Sequence, residues 1–378
     1  MGSIMSNLIN RLNIGTSRDG TYLPTLDGWR AIAITLVIFA HGSDSISNAL
    51  NTVGIYFDFS RIKEAGLFGV QIFFGLSGLL ITSRLIASEK QYGSISLKNF
   101  YLRRAFRILP AALAFLTVVG ILALSGMLPI SFGRWLSSLF FLANYTTATG
   151  TWYLGHFWSL AVEEHFYMIW PAVFLVLGVS SRRITVAIVI ALLLAFWRAL
   201  DYKFQITGAT PAMFWGRTDI QGDNILWGVV VALLYGDPIW KVRLKKLLMM
   251  PAVLPSLIIL MIILITLPSL GWKLAFILLT IKAILIPLVI LGTLINASGM
   301  LSYILETPIF RLIGRLSYSI YLWQQIFLVW NDSSIPNLEI LQSLPFNLIA
   351  VFTCATISYL YIEKPFILIG HRIAAKII

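Results

Sequence analysis

Apolar residues along this chain come in runs of about twenty, separated by short polar or basic stretches. That is the pattern of bilayer-crossing helices, since a span needs about 20 apolar residues and strands would alternate. The runs fall at 29–49, 66–86, 108–127, 155–178, 184–200, 219–236, 249–267, 273–295, 316–333 and 346–369. The expectation is an all-α polytopic membrane protein of about ten transmembrane helices, with a short or re-entrant helix (WLSSLFFLANY) in 128–154. An even number of spans puts both termini on one side. Arg84, Lys90, Lys98, Arg103, Arg104 and Arg107 share one loop, and Arg182, Arg183, Lys241–Lys246, Arg311, Arg315, Arg372 and Lys376 fall on the same side. The opposite segments hold fewer cations: Arg61, Lys63, Arg134, Lys203, Arg217 and Lys273. Cytoplasmic loops collect Lys and Arg, so both termini are expected in the cytoplasm. The expected organisation is a cytoplasmic segment over 1–24, one transmembrane domain over 25–370 and a cytoplasmic tail over 371–378.

Composition sharpens the picture. The chain is 58% hydrophobic and 12% charged, about half the charged fraction of ordinary soluble domains. Its 28 Lys+Arg against 16 Asp+Glu give a net charge of +12. Membrane topology accounts for that excess, so no nucleic-acid partner is expected. The single cysteine, Cys354, excludes an internal disulfide and a thiolate cluster. The N-terminal stretch MGSIMSNLINRLNIGTSRDG has no apolar core of signal-peptide length. The four histidines (41, 156, 165 and 371) lack metal-ligand spacing, and there is no HExxH, GxSxG or P-loop. No metal is expected.

The polar residues inside the apolar runs are the candidates for chemistry. LDGWRAIAITLVIFAHG, residues 26–42, carries Arg30 and His41 eleven residues apart. On an ideal helix they share a face, roughly 16 Å apart along the axis. Ionisable groups at such depth are costly and face the protein interior or a wet cavity; a histidine bonded between helices is the plainer reading. Asp44 lies one turn beyond His41 and could orient its ring. GVQIFFGLSGLLITSRL offers the Ser77 hydroxyl among packing glycines. LKNFYLRRAFRILP places Arg103 and Arg107 on one helical face beside Arg104. These arginines read either as an anchor on anionic lipid or as a clamp for a phosphate-bearing ligand. TWYLGHFWSLAVEEHFYMIWP carries Trp158, Ser159, Glu163, Glu164 and Tyr167, and its adjacent carboxylates point about 100° apart, so one neighbour cannot serve both. FWGRTDIQGDNILWG groups Arg217, Asp219 and Asp223, and LIGRLSYSIYLWQQIF adds Arg315, Tyr321 and Gln324.

In order, LDGWRAIAITLVIFAH, IFFGLSGLLIT, FYLRRAFRILP, WSLAVEEHFYMIWP, GRTDIQGDNILWG, IGRLSYSIYLW and IEKPF make the chain resemble the acyltransferase-3 family of integral-membrane acyltransferases. That family is best known for bacterial O-acetyltransferases of surface glycans. The resemblance spans roughly 25–370. It implies an enzyme of the bacterial inner membrane that moves an acyl group, acetyl in the best-known members, from cytosolic acyl-CoA to a hydroxyl of a cell-surface saccharide or glycolipid such as a polysaccharide or lipopolysaccharide. Acetyl-CoA is then a co-substrate, no cofactor is held permanently, and the partners are the acceptor and membrane lipids. The family's Arg–ten residues–His element falls on Arg30 and His41, its arginine motif on Arg104 and Arg107, and its WSL–EE–FY element on Trp158, Ser159, Glu163, Glu164 and Tyr167. Relatives often carry a histidine where Gln324 stands, and many carry a C-terminal hydrolase-like domain; the stand-alone form is expected here. The expected assignment makes His41 the base or acyl relay, with Glu163 and Glu164 as catalytic carboxylates. Arg30, Arg103, Arg104 and Arg107 hold the donor. Asp44, Ser77, Trp158, Ser159, Tyr167, Arg217, Asp219 and Tyr321 line the acceptor cavity. A transporter or flippase for a lipid-linked sugar also needs charges along a path, but would consume no acyl-CoA.

Overall fold

The computed structural model describes residues 23–376 apart from 53, 55, 57–59, 147–151, 211–213, 267–270, 330–334 and 336–337. The N-terminal segment expected to be cytoplasmic thus lies almost wholly outside the described residues. Among the described residues the regular elements are helices: α1 (Pro24–His41), α2 (Ser43–Thr52), α3 (Ser60–Tyr92), α4 (Leu97–Leu124), α5 (Phe132–Leu139), α6 (Phe157–Leu177), α7 (Ser180–Phe204) and α8 (Thr218–Gly236), followed by α9 (Pro238–Leu248), α10 (Val253–Thr266), α11 (Gly271–Ile295), α12 (Met300–Leu305), α13 (Pro308–Phe327), α14 (Phe346–Ser358), a π turn (Tyr359–Glu363) and α15 (Lys364–Ala375).

Six helical stretches are long and apolar enough to span a membrane: Ala65–Tyr92, Leu97–Leu124, Phe157–Leu177, Ser180–Phe204, Ile277–Ile295 and Phe346–Ala375. The pair α8–α9, bent by 106°, would make a seventh. Four of the expected runs take another form. The run 29–49 is broken at Gly42 into α1 and α2. The run 219–236 ends at Asp237, whose carboxylate accepts from the Ile239 and Trp240 amides and starts α9 in a new direction. The run 249–267 forms a helix of only 14 residues. The run 316–333 starts eight residues early, at Pro308, whose missing N–H suits a helix's first position, and so takes in Arg311 and Arg315. α1 and α13 carry charges in their first turns because those turns face protein, where Asp27 and Arg311 are buried.

The chain divides into two compact units, the first comprising Met1–Gly69, Asn99–Ile130 and Ala297–Ile378, the second Val70–Lys98 and Ser131–Asn296. The first is built around α1 and α13. A Cβ on Gly314 would collide with the Asp27 carbonyl, so the helices touch backbone to backbone, the small-residue contact that brings membrane helices together. Farther along, a Cβ on Gly42 would meet Leu328 at 3.7 Å. Asp27 thus pairs with Gly314 and Gly42 with Leu328, which makes α1 and α13 parallel. Ala33, Ile34 and Val37 fill the interior face of α1. The Tyr318 hydroxyl donates to the Ile108 carbonyl at 2.9 Å and ties α13 to α4, where Phe115 meets Trp323 edge to face.

In the second unit α8 packs against α3, α7 and α11. Gly78 and Gly228 allow α3 and α8 to approach until a Cβ on either would strike the other's backbone. The short helix α5 confirms the expected element in 128–154. Its Ser131 cap accepts from the Arg134 amide. The Arg134 guanidinium donates to the Ala143 carbonyl at 2.7 Å and the Thr146 hydroxyl at 3.2 Å, folding the loop back on the helix. Burial pushes the Arg134 pKa down, yet a guanidinium starts so high that it stays charged. Phe141 adopts a left-handed φ of 55°, and its ring lies 6.3 Å from that of Phe157.

Candidate functional site

The first unit gathers the predicted donor-side residues. Asp27 receives Arg30 on one carboxylate oxygen at 2.9 Å and Arg315 on the other at 3.3 Å. Glu363, buried in the π turn, accepts the Ser319 hydroxyl at 2.9 Å, and both Arg107 and Arg30 act on it electrostatically. Tyr359, one π turn earlier, lies within the fields of Glu363, Arg315, Arg107 and Asp27. α1, α4, α13 and the π turn thus bring three guanidinium groups and two carboxylates together. One positive charge is in excess before Arg103 and Arg104 are counted. Those two extend the same part of α4, Arg103 exposed and Arg104 half-buried. Arg107 is half-buried and lies in the field of Glu363.

His41 stands at the other end of α1, on the last residue before the Gly42 break. Gln324 of α13 is fully buried, and among the described residues its side-chain polar atoms make no well-formed hydrogen bond. Tyr321 is buried one turn earlier on that helix, and Asp44 is half-buried at the start of α2.

The second unit assembles a different chemistry. The Tyr167 hydroxyl lies 2.6 Å from both Ser77 Oγ and Glu163 Oε2. A phenol has one proton and a carboxylate can only accept, so Tyr167 donates to Glu163 and Ser77 donates to Tyr167. Three residues singled out from sequence, on two helices, thus form one chain from a serine hydroxyl to a carboxylate. Trp158 meets Phe74 edge to face at 6.0 Å beside it. Ser159 is spent on the helix start, donating to the His156 carbonyl at 3.0 Å. Glu164 is half-buried, one residue around the helix from Glu163. His165 Nδ1 meets Thr218 Oγ1 at 2.7 Å, and its ring lies 6.1 Å from that of Tyr145. Asn144 also donates to Thr218, at 2.9 Å. That imidazole fastens the α5 loop to α6 and α8.

Arg217 and Asp219 form a two-pronged pair at 3.0 and 2.9 Å, and Trp197 donates to the same carboxylate at 2.7 Å. This pairing pushes the Arg217 pKa above its ordinary value, and the guanidinium lies 5.7 Å from the Tyr145 ring centre. Asp223, grouped with them in sequence, turns elsewhere. It is fully buried and paired with Arg198 of α7 at 2.7 Å, and Arg198 also bonds the Ile220 carbonyl and Thr280.

Sequence reasoning missed Glu363, Ser319 and Arg198. Glu363 stands in IEKPF and Arg198 in an apolar run, and a lone charge within such a run was the available signal. Among the described residues no group of three or more His, Cys, Asp or Glu could hold a metal ion.

A family model described as an acyltransferase domain, acyltransferase-3, matches residues 23–363. The peptidoglycan O-acetyltransferase OatA of Listeria monocytogenes is 30% identical, over 91% of this chain and 56% of its own. The putative peptidoglycan O-acetyltransferase YrhL of Bacillus subtilis is 29% identical, over 93% and 56%. A putative O-acetyltransferase of Staphylococcus aureus is 27% identical, over 91% and 57%. The chain spans somewhat over half the length of these relatives, and no solved structure matches it. With the Arg30–His41 helix, the arginines of α4 and the Glu163–Tyr167 turn all lying inside the matched residues, the chain belongs to the acyltransferase-3 family.

Proposed function

We propose that this chain is a membrane O-acyltransferase that moves an acyl group, most simply acetyl, from cytosolic acyl-CoA to a hydroxyl of a cell-surface glycan. The relatives' names favour peptidoglycan as the acceptor. The observation that carries the reading is the arrangement along α1, with a guanidinium cluster in positive excess at one end and an imidazole at the other. Arginine's planar fork suits phosphate oxygens, and partial burial strengthens such pairs. Arg103, Arg104 and Arg107 would hold the CoA phosphates at the cytoplasmic mouth, with Arg30 taking a phosphate or carboxylate. In this reading both chain termini are cytoplasmic, all ten apolar runs lie within the membrane, and the chain resides in the bacterial cytoplasmic membrane. No permanently bound cofactor is needed.

The pantetheine arm places the thioester near His41. A neutral imidazole then takes the proton of the acceptor hydroxyl as its oxygen attacks the thioester carbonyl. The C–S bond breaks, the ester forms, and the imidazolium returns its proton to the CoA sulfur. Alternatively the ring nitrogen attacks the thioester, the C–S bond breaks and the other ring nitrogen's proton goes to the CoA sulfur. The acceptor oxygen then attacks the acyl-imidazole, the C–N bond breaks and the hydroxyl proton returns to the ring. Both routes need one unprotonated ring nitrogen. The Ser77–Tyr167–Glu163 chain supplies a path along which a hydroxyl can release a proton to a carboxylate. Arg217, Asp219 and Trp197 offer the mixed charge and aromatic surface that sugars favour.

The test is to reconstitute purified protein in vesicles with radiolabelled acetyl-CoA and soluble peptidoglycan fragments. The expected result is ester-linked label on the glycan and stoichiometric release of CoA. Transport or binding without CoA release would overturn the reading and favour a carrier.

A further inference from the structure

We propose that α9 is an interfacial helix that binds anionic phospholipid headgroups of the leaflet in which α8 ends. Every contact behind this lies within the second unit. α8 runs beside the spans α3 and α7, and a Cβ on Gly236, its last residue, would meet Ile86 of α3 at 2.8 Å. The neighbouring helices turn charged at that level. Lys90, one turn beyond Ile86, donates to the Gly236 carbonyl at 3.2 Å, and Glu89 beside it takes Arg183 from the start of α7 at 2.6 Å. Asp237 then caps α9, which leaves at 106° to α8. A helix that turns nearly at right angles to a span, where its apolar neighbours give way to charged ones, lies along the membrane surface.

The residues of α9 suit that place. PIWKVRLKKLL holds four cations, Lys241, Arg243, Lys245 and Lys246, and no acid; all four are exposed. Leu248 is buried, and a Cβ on Gly292 of α11 would meet it at 3.7 Å, so the far end of the helix is fastened to the bundle. Ile239 and Val242 are nevertheless 65% and 68% exposed, and Trp240 and Leu247 are exposed as well. Apolar side chains so interleaved with cations are costly in water. They fit the boundary between headgroups and acyl chains, where lysine and arginine stems lie along apolar surface and their charges reach phosphate. The Arg243 guanidinium lies 5.1 Å from the Trp240 ring centre, and the Lys241 ammonium 5.5 Å from that of Tyr235; such rings gather at headgroup depth. With no acid in the helix to answer them, the four cations select an anionic headgroup over a zwitterionic one.

The test places the full chain in phosphatidylcholine nanodiscs containing a small fraction of lipid with a photoactivatable headgroup. With phosphatidylglycerol as the probe, peptides covering 238–248 are expected to be labelled about tenfold more than with a phosphatidylcholine probe. That difference should shrink as salt is raised. The variant Lys241→Gln/Arg243→Gln/Lys245→Gln/Lys246→Gln should lose the preference while keeping its labelling by phosphatidylcholine. Equal labelling of wild-type α9 by the two probes would overturn the proposal and leave the cations to an acidic partner from the aqueous side. A preference that survives in the variant would overturn it too, as would anionic labelling confined to other segments. Should the variant not fold, the wild-type comparison of the two probes still decides.

Discussion

The two units bury charge in opposite ways. In the second unit three arginines are each closed on a carboxylate: Arg198 on Asp223, Arg217 on Asp219 and Arg183 on Glu89, the last through two bonds of 2.6 and 2.7 Å. In the first, Arg30, Arg107 and Arg315 gather around Asp27 and Glu363. A closed ion pair inside a protein offsets its own desolvation and has little left to give a ligand. Three guanidinium groups gathered on two carboxylates favour the approach of an anion. The second unit is accordingly braced by its charges, and the first is prepared by them. Its counterpart in the second unit is not an ion pair at all but the neutral-to-anionic chain Ser77–Tyr167–Glu163, suited to moving a proton.

That contrast predicts different failures. The largest effect is expected from His41→Ala, which should lower transfer by about 10³-fold or more, since base and nucleophile alike are lost. Labelled acetyl-CoA should still bind, and full transfer would refute the role given to His41. Asp223→Ala strikes the matched unit instead, leaving Arg198 buried without its partner. We expect a loss of about 3–5 kcal/mol in stability, read by thermal unfolding in detergent. The double variant Arg198→Leu/Asp223→Leu should recover most of it, because removing both charges removes the penalty. A double variant as unstable as the single one would mean that the bonds from Arg198 to the Ile220 carbonyl and Thr280 carry the stability instead. Tyr167→Phe comes next. It cuts the chain between Ser77 and Glu163 while preserving the ring packing, so transfer should fall about 10²-fold with little change in unfolding temperature.

How much of this is legible in the sequence depends on the kind of interaction. Apolar runs fix where helices form, because burial in lipid is a property of composition over twenty residues. They do not say which runs face protein: α1 and α13, interior on nearly every side, look much like spans with a few polar intruders. Helical spacing alone places Glu163 and Tyr167 one turn apart, and the structure makes them partners. Their third member, Ser77, is 90 residues away in chain, so only packing reveals it. The same limit separates Asp219 from Asp223. One turn apart, they look like one cluster, yet one turns to Arg217 and Trp197 and the other to Arg198 on another helix. Glu363 stands in IEKPF with nothing beside it in sequence to mark a role, since its value lies in what the π turn brings it against.

The smallest effects should come from the edges of the cationic cluster, and they separate holding the donor from holding the cluster. Arg104→Glu reverses a charge at the mouth, so acetyl-CoA affinity should fall about tenfold, more at low salt than high because the site is partly exposed. Unchanged affinity would count against the clamp. Ser319→Ala is subtler. Ser319 donates the 2.9 Å hydrogen bond that holds Glu363 in the π turn, and it touches no predicted donor group. Losing a hydrogen bond to a charged group costs about 1.5–3 kcal/mol at most, but Arg107 and Arg30 still act on the carboxylate and absorb part of it. Freed of the hydroxyl, Glu363 is expected to draw closer to Arg107 and leave less of that guanidinium for phosphate. KM for acetyl-CoA should therefore rise severalfold with kcat near wild type. A fall in kcat with KM unchanged would mean that Glu363 serves the reacting end of α1 rather than the anion-binding end, and the division of labour along that helix would have to be redrawn.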